Sequence, residues 1–110
     1  MSIEFGDIFE ELKRGIAKLA ASSLKKFLAQ AKSDGQKMLD FMKQDLENWT
    51  IQLDNKEINA DDFKFLVIGQ KDLLEMAALK QAGLALVQID GFKMSVLNLI
   101  INTLTGAIKI

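Results

Sequence analysis

Residues 82–110 read AGLALVQIDGFKMSVLNLIINTLTGAIKI, and the only ionisable side chains among them are those of Asp90, Lys93 and Lys109. The sequence before this stretch is densely charged. So much apolar surface has to be covered by the rest of the chain, by a second copy, by a protein partner or by lipid. The stretch is the strongest indication of a role that the sequence contains, and it indicates only a class of role.

The pattern from about Phe92 to Lys109 predicts one helix. Its polar residues recur every three or four positions and form one narrow stripe on an otherwise apolar helix: Ser95, Asn98, Asn102, Thr105 and Lys109. Such a helix is the centre of a bundle, contacts another subunit, or inserts into a membrane. From Met94 to Ile110 it would reach only about 25 Å, short of the roughly 30 Å hydrocarbon core. We therefore expect a core helix that also contributes to a subunit interface.

The predicted interface residues all lie in this apolar C-terminal part of the chain. They are Leu84, Val87, Leu97, Ile100, Ile101, Leu104 and Ile108. The alternative for each of them is an ordinary position in the core.

Three further helices are predicted from apolar residues spaced by three and four. The first runs from about Asp7 to Ala31, with Asp7 and Glu10 at the spacing of a capping box. A break is expected in the sequence Ser33–Gln36, and a single long helix kinked at Gly35 is the alternative. The second helix then carries an apolar stripe formed by Met38, Leu39, Met42, Leu46, Trp49 and Leu53.

The third helix is expected after a loop at residues 54–57. Asn59 can cap it, and Ile58 and Phe63 have the spacing of a hydrophobic staple. Its apolar pattern continues through Val87, and Asp90–Gly91 is a turn signal before the last helix. The sequence thus predicts an all-α fold, a single domain over residues 1–110, with about four amphipathic helices in an antiparallel bundle.

The composition makes catalysis improbable. The 110 residues include no Cys, His, Tyr or Pro, and 14 basic and 15 acidic residues give a net charge of −1. Without cysteine and histidine the chain lacks a thiolate, the usual general base and the usual zinc ligands. The acidic residues lie mostly off the apolar stripes, where they are solvated. We predict a non-enzymatic protein without a cofactor or metal site.

Charged residues form an edge along the first predicted helix, acidic at its start and basic towards its end. They are Glu4, Asp7, Glu11, Arg14, Lys18, Lys25 and Lys32. Matching of the helix dipole explains this order, and so does pairing of two antiparallel copies in a twofold dimer. A phosphate-binding stripe is the third interpretation, but the balanced net charge argues against a nucleic-acid partner. The acidic start of the chain, Met1–Asp7, does not resemble a secretory signal, so we expect a cytoplasmic protein.

The function predicted from these features is protein–protein interaction, with self-association as a homodimer or binding to a protein partner. A membrane- or lipid-associated helical protein is one alternative. A carrier of an apolar small molecule is another, with a cavity lined by the flexible side chains of Met38, Met42, Met76 and Met94.

Overall fold

The computed structural model describes residues 4–108, and within that range it contains helices and no strands. The α-helices are α1 (Phe5–Ser23), α2 (Leu28–Asp54), α3 (Ala60–Ile68), α4 (Ala77–Gln81) and α5 (Leu86–Ile108), with 3₁₀ turns at Lys25–Phe27 and Lys71–Leu73. The prediction of an all-α fold is confirmed. Four of the helices have nine or more residues, and α4 is a short extra helix of five.

The core lies where α1 packs against both α2 and α5, and α3 closes it by packing against α5 and α2. Side chains from three helices meet there with no exposed surface, among them Leu12, Ile16, Leu46, Leu97 and Ile100. Leu12, Ile16 and Leu46 belong to the predicted apolar stripes of the first two helices, whereas Leu97 and Ile100 are among the predicted interface residues. Burial of one such side chain stabilises the fold by about 1.5–3 kcal/mol. The helices therefore pack with these side chains facing each other.

The predicted capping box and the predicted end of the first helix are wrong. Glu4 is the N-cap and makes no side-chain capping bond, so the expected capping box of Asp7 and Glu10 does not form. The helix ends at Ser23, because Leu24 leaves helical geometry with φ −136°. The hydroxyl of Ser22 donates to the carbonyl oxygen of Leu19 at 3.1 Å, a local bond of the kind that makes serine a weak helix former.

The predicted break at Ser33–Gln36 is also wrong, because α2 passes through it without interruption. Gly35 is buried where α1 and α2 approach closely, and a Cβ atom there would lie 2.5 Å from Cγ2 of Ile16. Next to it, Nε2 of Gln36 donates to the carbonyl oxygen of Lys13 at 3.1 Å. The glycine therefore permits a close helix contact and does not end a helix.

The start of α3 is predicted correctly. The amide of Asp62 donates to Oδ1 of Asn59 at 2.8 Å, and the amide of Asn59 donates to Oδ2 of Asp62 at 3.1 Å. These reciprocal bonds form a capping box in which Asn and Asp replace the usual residues. The helix ends at Ile68, however, and does not continue through Val87 as the apolar pattern predicts.

The segment after α3 contains the short helix α4 and the glycine that ends it. Gly83 has φ +90°. The amide of Gly83 donates to the carbonyl oxygen of Lys80 at 3.1 Å, and the amide of Leu84 donates to the carbonyl oxygen of Leu79 at 3.2 Å. This pair of bonds is a Schellman motif, and it ends α4. Helix α5 then begins at Leu86, so the predicted turn at Asp90–Gly91 is wrong, and both residues lie inside α5.

The earlier start of α5 removes the length argument against a membrane span. Its 23 residues reach about 34 Å. By length and composition it is the one described helix that could cross a membrane, with a mean hydropathy of 1.2 over 18 residues, 33% of them buried inside the chain. The core helix of a soluble protein meets the same criteria.

Candidate functional site

Three large apolar side chains are exposed around the segment that connects α3 to α4. Phe41 of α2 is 61% exposed, Leu73 of the second 3₁₀ turn 63%, and Leu86 at the start of α5 65%. We call these three residues the apolar rim. Large apolar side chains exposed near one another are typical of surfaces that bind other molecules.

Two surface clefts adjoin beneath the apolar rim, each with a volume of about 300 Å³. Phe41 and Leu73 line the first, which we call the α2 cleft, together with Met38 and Lys37. Leu86 lines the second, the α4 cleft, whose other lining residues include Met76, Ile89, Lys80 and Lys93. Leu74 and Glu75 line both clefts, so the two clefts are neighbours.

Asp34 of α2 fixes one end of the segment between the clefts. Its side chain is 1% exposed, and its carboxylate accepts hydrogen bonds from the backbone amides of Ala78 at 3.1 Å and Leu79 at 2.7 Å. Both amides belong to the first turn of α4, where helical backbone amides have no partner within the helix. A carboxylate there is also stabilised by the helix dipole. Asp34 thus caps α4 from a different helix.

Lys93 of α5 fixes the other end of the same segment. Its Nζ donates to the carbonyl oxygen of Leu74 at 2.6 Å and to that of Lys71 at 3.2 Å. These carbonyls belong to the residue that follows the 3₁₀ turn carrying Leu73 and to the first residue of that turn. The two charged side chains therefore hold residues 71–79 against α2 and α5, and this placement leaves Leu73 exposed while Leu74 and Met76 are buried.

Charged groups of both signs surround the apolar rim. Lys37 and Lys80 are exposed at the clefts, and so are Glu75 and Asp90. The amine of Lys93 already bonds two carbonyls. Within residues 4–108 no three carboxylate, thiol or imidazole side chains lie close enough together to hold a metal ion. The arrangement offers apolar contact with polar groups at its edge, as in the core and rim of a protein interface.

The structure places most of the predicted interface residues inside the chain. Leu97, Ile100 and Leu104 have no exposed surface, and Leu84 and Ile101 are less than a tenth exposed. Ile108 is partly buried against the core. Val87 alone among the seven is widely exposed, at 84%, and it stands next to Leu86 of the apolar rim.

Sequence reasoning missed Phe41, Leu73 and Leu86 as surface residues. Phe41 precedes Met42 and lies off the apolar stripe of α2, and a large aromatic side chain off the stripe was the available signal. Leu73 and Leu86 carry no such signal, because the apolar pattern predicts one continuous third helix that includes both. Of the four methionines predicted to line a cavity, Met38 and Met76 line different clefts, and Met42 is fully buried.

Other exposed apolar side chains do not line the two clefts. Phe65 of α3, 80% exposed, is the largest of them, and Ile51 and Leu28 of α2 are about half exposed. These residues provide matched controls for tests of the apolar rim.

Comparisons with protein-family models, with curated proteins and with solved structures find no match to this chain.

Proposed function

We propose that this chain is a small non-catalytic helical protein of the cytoplasm that acts through protein–protein interaction. The observation that supports this proposal is the apolar rim, with Phe41, Leu73 and Leu86 all more than half exposed around adjoining clefts. Burying the exposed part of these three side chains against a partner would contribute about 1–2 kcal/mol each before the costs of association. Self-association is the simplest form of the proposal, and α5 takes part in it through Leu86 and Val87.

The proposed architecture is an antiparallel bundle of α1, α2, α3 and α5. Short connections support it, since only residues 24–27 separate α1 from α2 and only residues 55–59 separate α2 from α3. Helices joined by so few residues usually lie antiparallel to one another. An experimental structure would test the direction of each helix.

The molar mass of the purified chain, measured by light scattering across a dilution series, tests self-association. The double variant Phe41→Ser with Leu73→Ser removes most of the apolar rim, and Phe65→Ser removes a similarly exposed aromatic side chain from α3. We expect the wild-type chain and the Phe65 variant to associate and the double variant to be monomeric. All three should keep the same helical circular dichroism.

A monomeric wild-type chain at every concentration would contradict self-association. Equal association of the wild type and the double variant would contradict the role of the apolar rim.

A lipid-associated function is the second candidate, and the length and apolar composition of α5 favour it. Sedimentation with liposomes tests it, with Val87→Asp as the variant because Val87 is exposed and its replacement leaves the core intact. If the wild type sediments with liposomes and this variant does not, the result would favour lipid association. A chain that stays in the supernatant would contradict it.

A further inference from the structure

One edge of α1 carries an exposed row of charges with a simple symmetry. Asp7, Glu11, Arg14 and Lys18 succeed one another at steps of four, three and four residues, so they lie in line along the helix. All four are exposed. The ion pair that the structure shows in its described part joins Glu10 and Lys13, at 3.6 Å, and these four residues take no part in it. We call them the charged edge.

The helix dipole does not explain the basic half of the charged edge. The dipole acts on charges in the first and last turns of a helix. Asp7 lies in the first turn of α1, but the last turn, which ends at Ser23, contains no basic residue. Arg14 lies in the middle of the helix and Lys18 well before its end. Dipole matching requires a helix that continues to Ala31, and α1 ends at Ser23.

The charged edge is complementary to itself. Residues 11 and 14, like residues 7 and 18, lie symmetrically about one point of the helix, between residues 12 and 13. A twofold axis through that point brings an antiparallel second copy into register, with Glu11 facing Arg14 of the other copy and Asp7 facing its Lys18. Each pair occurs twice, so four pairs of opposite charge form. A twofold contact of this kind uses the same surface on both subunits.

We propose that two copies of this chain pair antiparallel through the charged edge of α1. The inference rests on the self-association in the proposed function and places the contact on the charged edge, as the alternative to the apolar rim. Gly15 lies beside the charged edge near the twofold axis, and the side chain of Leu99 packs over it, with Cδ2 3.0 Å from the position of a Cβ atom. Leu99 is half-buried, so it adds apolar contact next to the charges.

The charges set the orientation of this pair more than its strength. Exposed ion pairs are individually weak because water screens them and because both side chains lose freedom. The dimer should therefore dissociate readily and should weaken when salt is added, since the Debye length falls from about 14 Å to about 4 Å between roughly 50 mM and 500 mM salt. A contact made by apolar surface alone would not weaken in this way.

Charge reversal tests the proposal by sedimentation equilibrium of the full chain. The first variant, Arg14→Glu with Lys18→Glu, makes the charged edge wholly acidic. The second, Asp7→Lys with Glu11→Lys, makes it wholly basic. Each variant alone should dimerise at least about tenfold more weakly than wild type, because like charges now face each other. An equimolar mixture of the two should form a heterodimer that weakens with salt, because every facing pair is again opposite.

A matched control keeps the change in net charge and moves it off α1. Lys32→Glu with Lys64→Glu reverses two exposed lysines on α2 and α3 and should dimerise like the wild type. Circular dichroism confirms that each variant is folded.

The possible outcomes separate this inference from the proposed function. A dimer that is insensitive to both charge reversals, or a control that weakens as much as the variants, would overturn pairing through α1 and leave self-association standing. If the variant of Phe41 and Leu73 then proves monomeric, the apolar rim is the contact. A wild-type chain that is monomeric at low and high salt would overturn both the inference and self-association.

Discussion

Replacing Asp34 by alanine should destabilise the protein more than replacing any other acidic residue in α2. The side chain is 1% exposed, and its two oxygens accept bonds of 3.1 and 2.7 Å from the amides of Ala78 and Leu79. Hydrogen bonds to a charged group contribute about 1.5–3 kcal/mol each. Loss of an ordinary N-cap costs about 1 kcal/mol, because water replaces the lost bond.

The burial of the two amides decides where in this range the cost falls. The bond to Leu79 is buried and the bond to Ala78 is partly buried, so water can reach only one of the two amides easily. We expect Asp34→Ala to lower the free energy of unfolding by about 3 kcal/mol. Asp34→Asn keeps one accepting oxygen and should cost about 1–2 kcal/mol.

Urea unfolding followed by circular dichroism measures these differences, and Asp40→Ala is the control because Asp40 is an exposed acid of the same helix. Hydrogen exchange adds a local measurement. Helix α4 has five residues, too few to be stable alone, so the amides of Ala78 and Leu79 should lose protection first. A cost below about 0.5 kcal/mol for Asp34→Ala, with both amides still protected, would refute the assignment of Asp34 as the cap of α4.

Four further substitutions follow from the packing, and unfolding in urea measures each. Gly35→Ala should destabilise by about 1–3 kcal/mol because its Cβ would lie 2.5 Å from Ile16, whereas Gly91→Ala, with no atom within 4 Å, should stabilise α5 by about 0.5–1 kcal/mol. Thr50→Val should stabilise by about 1 kcal/mol because the buried hydroxyl of Thr50 has no hydrogen-bond partner. Lys93→Met should cost about 1–3 kcal/mol because two carbonyls lose their donor.

Each of these has a control in the chain. Thr105→Val should bring no gain, because that hydroxyl donates to the carbonyl oxygen of Ile101 at 2.8 Å. Lys80→Met removes an exposed lysine and should change stability by less than about 0.5 kcal/mol. A tolerated alanine at Gly35 would show that α1 and α2 are not in close contact there. Equal effects of the two threonine substitutions would contradict the unpaired hydroxyl of Thr50, and equal effects of the two lysine substitutions would contradict the hydrogen bonds assigned to Lys93.

The sequence predicts the helices better than their ends. The apolar stripes of α1 and α2 depend on spacing within one helix, and Asn59 with Asp62 is a local capping signal, so both were predictable. Gly35 and Gly91 look like breaks because glycine is a weak helix former. In the structure Gly35 lies at a close contact between two helices, which is a property of residues that are distant in sequence.

The candidate site likewise depends on contacts between residues that are distant in sequence, and Asp34 is the example. It lies three residues after Ala31 and four before Met38, on the buried stripe of α2. An acidic residue on an apolar stripe signals a buried partner, but its partners are amides 44 and 45 residues away. No local pattern identifies them. Two glycines lie within the predicted third helix: Gly69 follows the end of α3, and Gly83, in a left-handed backbone conformation, ends α4.

Exposure of the apolar rim depends on those distant contacts. Leu73 is exposed because Asp34 and Lys93 hold the segment between α3 and α4 in place. Asp34→Asn should therefore weaken association through the apolar rim although no residue of the rim changes, and Asp40→Asn should not. Light scattering measures the association, and hydrogen exchange at Leu79 shows whether the segment has loosened. If the amide of Leu79 loses protection and association is unchanged, the contact surface forms without this segment. Phe65 and the charged edge of α1 would then be the surfaces to test.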